Sequence, residues 1–288
     1  ANTSFGSFTV TVVTGPPTLT LPSDITAEAT SSAGAVVTYT ATADQNATVV
    51  CNPPSGSTFP LGNTTVNCTA TNVLNQTTTG SFHVNVVDTT PPTLTLPSDI
   101  TAEATSPAGA AVTFTATATD LVDGTVTVNC SPASGSTFAL GTTPVHCTAT
   151  DLHNNTASGS FNVKVQDTTP PEITSLTASP AQLWPPDHKM ANVTITGTAT
   201  DLVDTNPTLH IVSVTSDQPV VTNSNGDQSP DWIITGDMTV QLRSERTNGQ
   251  DRTYTITVAA TDFSGNTSTS TVQVKVTQFS GNHRAVGH

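Results

Sequence analysis

The chain has 288 residues, with 7 Lys and Arg against 21 Asp and Glu and a formal net charge of −14, which is room for two or three domains. A surface this acidic repels phosphate backbones and argues against nucleic acid as a partner. No apolar run reaches the length of a membrane span and no secretory leader is present, as expected for a mature or trimmed extracellular chain. Polarity comes instead from Thr, Ser and Asn, which suit half-exposed strands and turns.

The first element is "GSFTVTVV" from Gly6, in which Phe8, Val10 and Val12 alternate with threonines as in a strand buried on one face. The phrase returns as "GSFHVNVV" from Gly80 and "GSFNVKVQ" from Gly159, each time closing a longer unit. Residues 1–13 read either as the terminal strand of a preceding repeat or as a donor strand. A lone strand gains little stability by itself, whereas insertion at the sheet edge of another copy satisfies its backbone ladder. Head-to-tail donation of that kind generates an open fibre.

Residues 14–88 and 89–168 are two copies of one unit: "PPTLTLPSDITAEATS" opens at Pro16 and again at Pro91. Both read as short alternating strands separated by Gly, Pro, Asn and Asp, without helical periodicity. Cys51 and Cys68 are 17 positions apart, as are Cys130 and Cys147. One pair per repeat at matched positions predicts disulfides 51–68 and 130–147, each worth about 3 kcal/mol by loop closure, and oxidising surroundings. Zinc is the competing reading because His146 precedes Cys147. The first repeat has Asn67 there, and strand alternation sends neighbouring residues to opposite faces.

A third unit, 169–278, shares "TATDLVD" with the second, lacks cysteines and is longer; a tail, 279–288, follows. The fold class expected is all-β, with tandem immunoglobulin-like β-sandwich domains arranged end to end. "DTTPP", "LPSDI", the cysteine pair, "CTATD" and "GSFxVxV" over residues 14–167 resemble the hyalin-repeat (HYR) family. That resemblance implies an immunoglobulin-like fold and extracellular, often adhesive, non-catalytic roles. The third unit, through "LWPPDHKM", "SDQPV", "GDQSPDWIITG" and "LRSERT", resembles C-terminal modules of large bacterial surface proteins.

Sandwich topology brings the incoming linker, the B–C loop and the F–G loop to one pole. In the second unit these carry Asp88, Asp120, Asp123 and Asp151; in the third they carry Asp167, Asp201, Asp204 and Asp262. Convergent carboxylates suit Ca2+, which takes six to eight oxygens, at interdomain junctions. The alternative is that each Asp caps a turn through its side chain. The first unit offers only Asp44, Asn72 and Asn75 and is expected to bind a cation worse.

Sequons stand at Asn2, Asn46, Asn63, Asn67, Asn75, Asn129, Asn154, Asn192 and Asn266, candidates for glycosylation in a glycoprotein. No catalytic motif is present. In the third unit, Asp187 and His188 follow Trp184, Asp227 and Asp231 precede Trp232, and Arg243, Glu245 and Arg246 cluster. These are expected to be a buried Trp, a polar loop and a ladder of cross-strand ion pairs. His83 and His153 have no partner at ligand spacing and are expected on the surface.

The function expected is that of a non-catalytic structural or adhesive protein at the cell surface. It is a rod of modules or a subunit of an extracellular filament, self-associating through copies of the same chain. The alternative is a surface adhesin or carbohydrate-binding protein, its third domain a tip for cell-surface glycans or proteins.

Overall fold

The structure, a computed structural model, describes residues 15–220, 229–247 and 249–277. Residues 1–13, with Asn2, and Asp227 and the tail 279–288 lie outside the described residues. Every regular element among the described residues is a strand. The chain divides into two compact units: one holds the first repeat with Phe114–Ser134 and Val145–Phe161, the other Asp99–Thr113, Gly135–Pro144 and the third repeat. The division therefore runs through the second repeat.

In the first repeat, alternation dictates the sheet. Gly62–Thr71 and Thr77–Val87 pair antiparallel along their lengths. Val66, Cys68, Ala70, Phe82, Val84 and Val86 are buried, while Asn67, Ser81 and His83 face solvent. Ile25–Glu28 joins Thr77–Val87 in parallel, and Thr48–Asn52 forms the opposite edge. Two short pairs, Leu19–Thr20 with Thr42–Ala43 and Ala35–Val36 with Thr58–Phe59, carry the residues packed against this sheet. Phe59 is fully buried there, a contribution of roughly 1.5–3 kcal/mol. The glycine of "GSF" packs under a leucine: a Cβ on Gly80 would lie 2.9 Å from Leu21 Cδ1, and one on Gly159 would lie 2.8 Å from Leu96 Cδ1, so either leucine would have to shift.

Both expected disulfides are present, and both thiol pairs are consumed by them, which removes the zinc reading. Cys51 sits directly opposite Cys68, and Cys130 opposite Cys147, with Cα atoms 4.0 Å apart. Each bridge staples the edge strand, Thr48–Asn52 or Val128–Ser131, to its neighbour within one sheet. It does not tie two sheets together as in antibody domains. The second repeat keeps the sheet order of the first, with Ile100–Glu103, Thr156–Gln166, Gly141–Thr150 and Val128–Ser131.

The third repeat is built from two four-stranded sheets. One runs Glu172–Ser179, Met190–Thr200, Thr239–Arg243, Trp232–Gly236; the other runs Gln182–Leu183, Thr267–Val276, Arg252–Thr261, Thr208–Ser216. Val193, Ile195, Leu242, Ile256, Val258 and Val274 form its core. The expected cross-strand ladder at Arg243, Glu245 and Arg246 is not found, although Arg243 Nε lies 4.0 Å from Glu245 Oε2. The strand ends at Arg243, and the charges turn inward around Arg252, which is 1% exposed. Arg252 gives Nη1 to Glu245 Oε1 at 3.1 Å and Nη2 to Asp231 Oδ2, and its guanidinium lies 4.7 Å from the Tyr254 ring centre. Burial, and then neighbouring Asp231, raise the Glu245 carboxyl above its ordinary range, against the opposing pull of His188 and Arg252. Of the two tryptophans, Trp232 is the one half-buried on the core, whereas Trp184 is 56% exposed.

Replacing Cys51 and Cys68 together by Ala should lower the stability of the first repeat by about 3 kcal/mol, read as an earlier urea transition of the full chain. Arg252→Met should cost about 3–5 kcal/mol at neutral pH, because it leaves two buried carboxylates facing each other. That loss should shrink in mild acid as Glu245 takes up a proton; equal losses at both pH values would show that the carboxylates are not the cause.

Candidate functional site

The linkers between repeats are held by carboxylates on both sides. After the strand Thr77–Val87, the Glu28 carboxylate accepts from Thr89 N at 2.7 Å, Thr89 Oγ1 at 2.8 Å and Thr90 Oγ1 at 2.8 Å. After the strand Thr156–Gln166, Glu103 accepts from Thr168 N at 2.6 Å, Thr168 Oγ1 at 3.0 Å and Thr169 Oγ1 at 3.2 Å. The Thr89 amide, then the threonine hydroxyls, hold Glu28 below its ordinary range; the Thr168 amide does the same for Glu103. This accounts for the threonines of "DTTPP". The sequence reading missed both glutamates, although "ITAE" recurs in step with "DTT".

The aspartates of the linkers point into acidic poles. Asp88, Asp120 and Asp151, all buried, bring carboxylate oxygens within 4.8 Å of one another, and Asp167, Asp201 and Asp262 do the same. Each loop shapes itself around one oxygen of its own Asp. Asp120 Oδ1 accepts from Val122 N at 2.7 Å and Asp123 N at 3.0 Å. Asp151 Oδ1 accepts from His153 N and Asn155 N, both at 2.8 Å, and its Oδ2 from Asn155 Nδ2 at 2.8 Å. Burial alone would raise Asp151; the Asn155 side chain and the backbone amides outweigh it, and its pKa is lowered.

Turn capping therefore occurs as the alternative reading expected, yet it does not use every oxygen. Asp88 Oδ1 accepts from Thr90 N, while the buried Asp88 Oδ2 accepts no hydrogen bond. Two like charges 4.8 Å apart repel by about 3–4 kcal/mol at an effective dielectric near 20. A hard cation would relieve this.

One of the eight expected ligands, Asp204, stands apart from these groups. Asp204 spends both oxygens on backbone amides, Oδ1 on Asn206 N at 2.8 Å and Oδ2 on Phe263 N at 3.0 Å. Asp123 belongs to a second grouping at the same pole, with Asp88 and His153, whose ligand atoms lie within 4.8 Å of one another: its Oδ2 accepts from Leu152 N at 2.9 Å, and His153 Nδ1 is 3.2 Å from Asp88 Oδ2 and 3.3 Å from Asp123 Oδ2. His153, expected without a partner, thus reaches two carboxylates. His83 also has one, Asp24, at 3.5 Å. In the second pole Ser264 stands where the first has His153, and Ser264 Oγ donates to Asp167 Oδ2 at 3.0 Å.

"DLVD" has a further consequence. Val122, presented by the Asp120 turn, is buried in the same cluster as Ala29, Val37 and Phe59 of the first repeat. Val203 is likewise buried beside Asp201, which accepts from Val203 N at 2.7 Å.

The corresponding end of the first repeat is neutral and closed. Asn72 Nδ2 donates to Gly15 O and Gln45 Oε1, both at 3.1 Å, and to Gln76 Oε1 at 3.2 Å. Asp44 accepts from Thr18 N at 2.6 Å. Among the sequons, Asn46, Asn63, Asn67, Asn75, Asn129, Asn154 and Asn192 are exposed. The Asn266 amide is engaged with Asp167 O at 3.1 Å and Asp262 Oδ2 at 2.9 Å, so modification there would break the pole.

The HYR domain model matches residues 87–165. Hyalin of Lytechinus variegatus is 35% identical over 191 residues, 60% of this chain and 36% of that protein. Hyalin of Strongylocentrotus purpuratus is 31% identical over 279 residues, 91% of this chain and 22% of that protein. The chain thus spans well under half the length of either relative. Among solved structures, mouse cadherin-23 EC22-24 aligns at 13% identity and TM-score 0.34, over 91% of this chain and 99% of that one. Titin domains I67–I69 align at 11% identity and TM-score 0.32, over 91% and 99%. Superpositions this loose carry no argument. Residues 87–165 are an HYR domain, the module of the hyalin-repeat family.

Proposed function

We propose that the chain is a stretch of a non-catalytic, extracellular adhesive protein whose tandem β domains are fixed to one another by Ca2+ at two acidic poles. The observation that carries this is the convergence of Asp88, Asp120 and Asp151 on a buried point, with Asp88 Oδ2 accepting no hydrogen bond and only the His153 ring nitrogen near it, at 3.2 Å. All-oxygen donors of this kind suit Ca2+, and Asp167, Asp201 and Asp262 repeat the arrangement. The HYR domain and the likeness to hyalin support the extracellular, adhesive setting, and the disulfides fit an oxidising compartment. Exposed sequons are open to glycan attachment there.

Self-association of copies belongs to the same reading. The strand Thr48–Asn52 is a sheet edge with Val50 65% exposed, and residues 6–13 repeat the phrase that elsewhere pairs along a sheet. Insertion of that segment into the edge of another copy would build an extracellular filament.

Calorimetric titration of Ca2+ into the full chain should reveal sites of which Asp88→Asn removes one and Asp167→Asn another, while Asp44→Asn removes none. At a hundredfold excess over Kd each site should add about 2.7 kcal/mol of stability. Neither heat nor a shift in Tm at millimolar Ca2+ would dismiss the cation. Beads coated with the chain should clump in Ca2+ and disperse in EDTA; beads that never clump would count against adhesion. Assemblies of unchanged length after deletion of residues 1–13 would discard strand donation and leave the rest standing.

A further inference from the structure

Three phrases of the third repeat that have no counterpart in the first two meet at one place. "LWPPDHKM", the end of "GDQSPDW" and "LRSERT" are drawn together by Arg243. Its guanidinium donates to His188 O at 2.9 Å and, through Nε and Nη2, to Pro230 O at 3.2 and 2.8 Å. Ser244 closes the loop from the other side. Its Oγ donates to Pro185 O at 2.8 Å and its N to Lys189 O at 2.8 Å, while His188 N donates to Ser244 O at 2.9 Å. Beneath them lies the buried Arg252, Asp231 and Glu245 cluster. Burying so many charges is expensive, and hydrophobic residues of similar size would serve stability as well. What this network does achieve is to hold the loop 184–189 in one conformation.

That loop presents an exposed indole, Trp184, at a groove of about 450 Å3 whose polar members include Gln182, Asp187 and Lys189. We infer that this groove is a binding site for a neutral saccharide. An exposed indole on a loop whose backbone is pinned at Pro185, His188 and Lys189 offers an apolar face to the C–H face of a pyranose ring. Gln182, Asp187 and Lys189 supply donors and acceptors at its rim for hydroxyl groups. Asp187 and Lys189 already neutralise each other at 3.1 Å, so the groove offers no uncompensated charge to a charged sugar. The formal charge of −14 on the whole chain further disfavours sulfated or carboxylated polymers. The site is independent of the acidic poles.

The test is titration of the full chain with soluble neutral hexasaccharides of glucose, mannose and N-acetylglucosamine, followed by tryptophan fluorescence and calorimetry in EDTA, which silences the poles. At least one should bind saturably at millimolar concentration or below. Trp184→Ala should weaken it about tenfold or more, while Trp184→Phe retains part of the affinity. Gln182→Ala, on the exposed rim, is the second variant and should also weaken binding should Trp184→Ala fail to fold. A heparin oligosaccharide should bind more weakly than the best neutral sugar. No binding by any neutral sugar, or binding that survives both Trp184→Ala and Gln182→Ala, would overturn the inference.

Discussion

The buried carboxylate of each linker aspartate is the constraint on which the rest depends. Asp88 and Asp167 leave the last strand of one repeat and enter the loops of the next. Carboxylates at this depth persist only when hydrogen bonds, counter-charges or metal ions compensate their desolvation. Asp167 has Ser264 and Thr169. Asp88 has one backbone amide and the neighbouring His153 ring. The loops obey the same demand, since Asp120, Asp151, Asp201 and Asp262 each fold a turn around an oxygen before presenting the remainder.

Glu28 and Glu103 complete the arrangement from the preceding repeat. Thr89 and Thr168 give both amide and hydroxyl to these glutamates, whereas Thr90 and Thr169 give them only their hydroxyls and turn their amides to Asp88 and Asp167. With Val122 seated among apolar residues of the first repeat, polar and hydrophobic contacts act on the same short stretch. The neutral Asn72 network at the other end of the first repeat shows what replaces the acidic pole where no "DTT" linker with its Asp enters.

The third repeat solves a different problem. It lacks the cross-strand disulfide, has two four-stranded sheets instead of one with short partners, and invests buried charge in its loops. Such a network contributes little net stability; its product is a defined loop conformation around Trp184. Stability and ligand presentation are thus assigned to different chemistry in the short and long repeats.

Local periodicity and repetition decided much of this in advance. Alternating Phe82, Val84 and Val86 determined which face is buried, matched spacing determined both disulfides, and the position of aspartates in equivalent loops foretold two acidic poles. These are properties of neighbours a few residues apart, or of copies compared with one another. Tertiary structure alone decided the remainder. Glu28 meets Thr89 across 61 residues and His153 meets Asp123 across 30, and no spacing rule reaches so far. Asp204 looked equivalent to its neighbours until its oxygens were seen taken by Asn206 and Phe263 amides. Arg252 lies buried and Trp184 exposed because what is buried depends on which partners the folded loops can supply, and only the assembled sandwich supplies them.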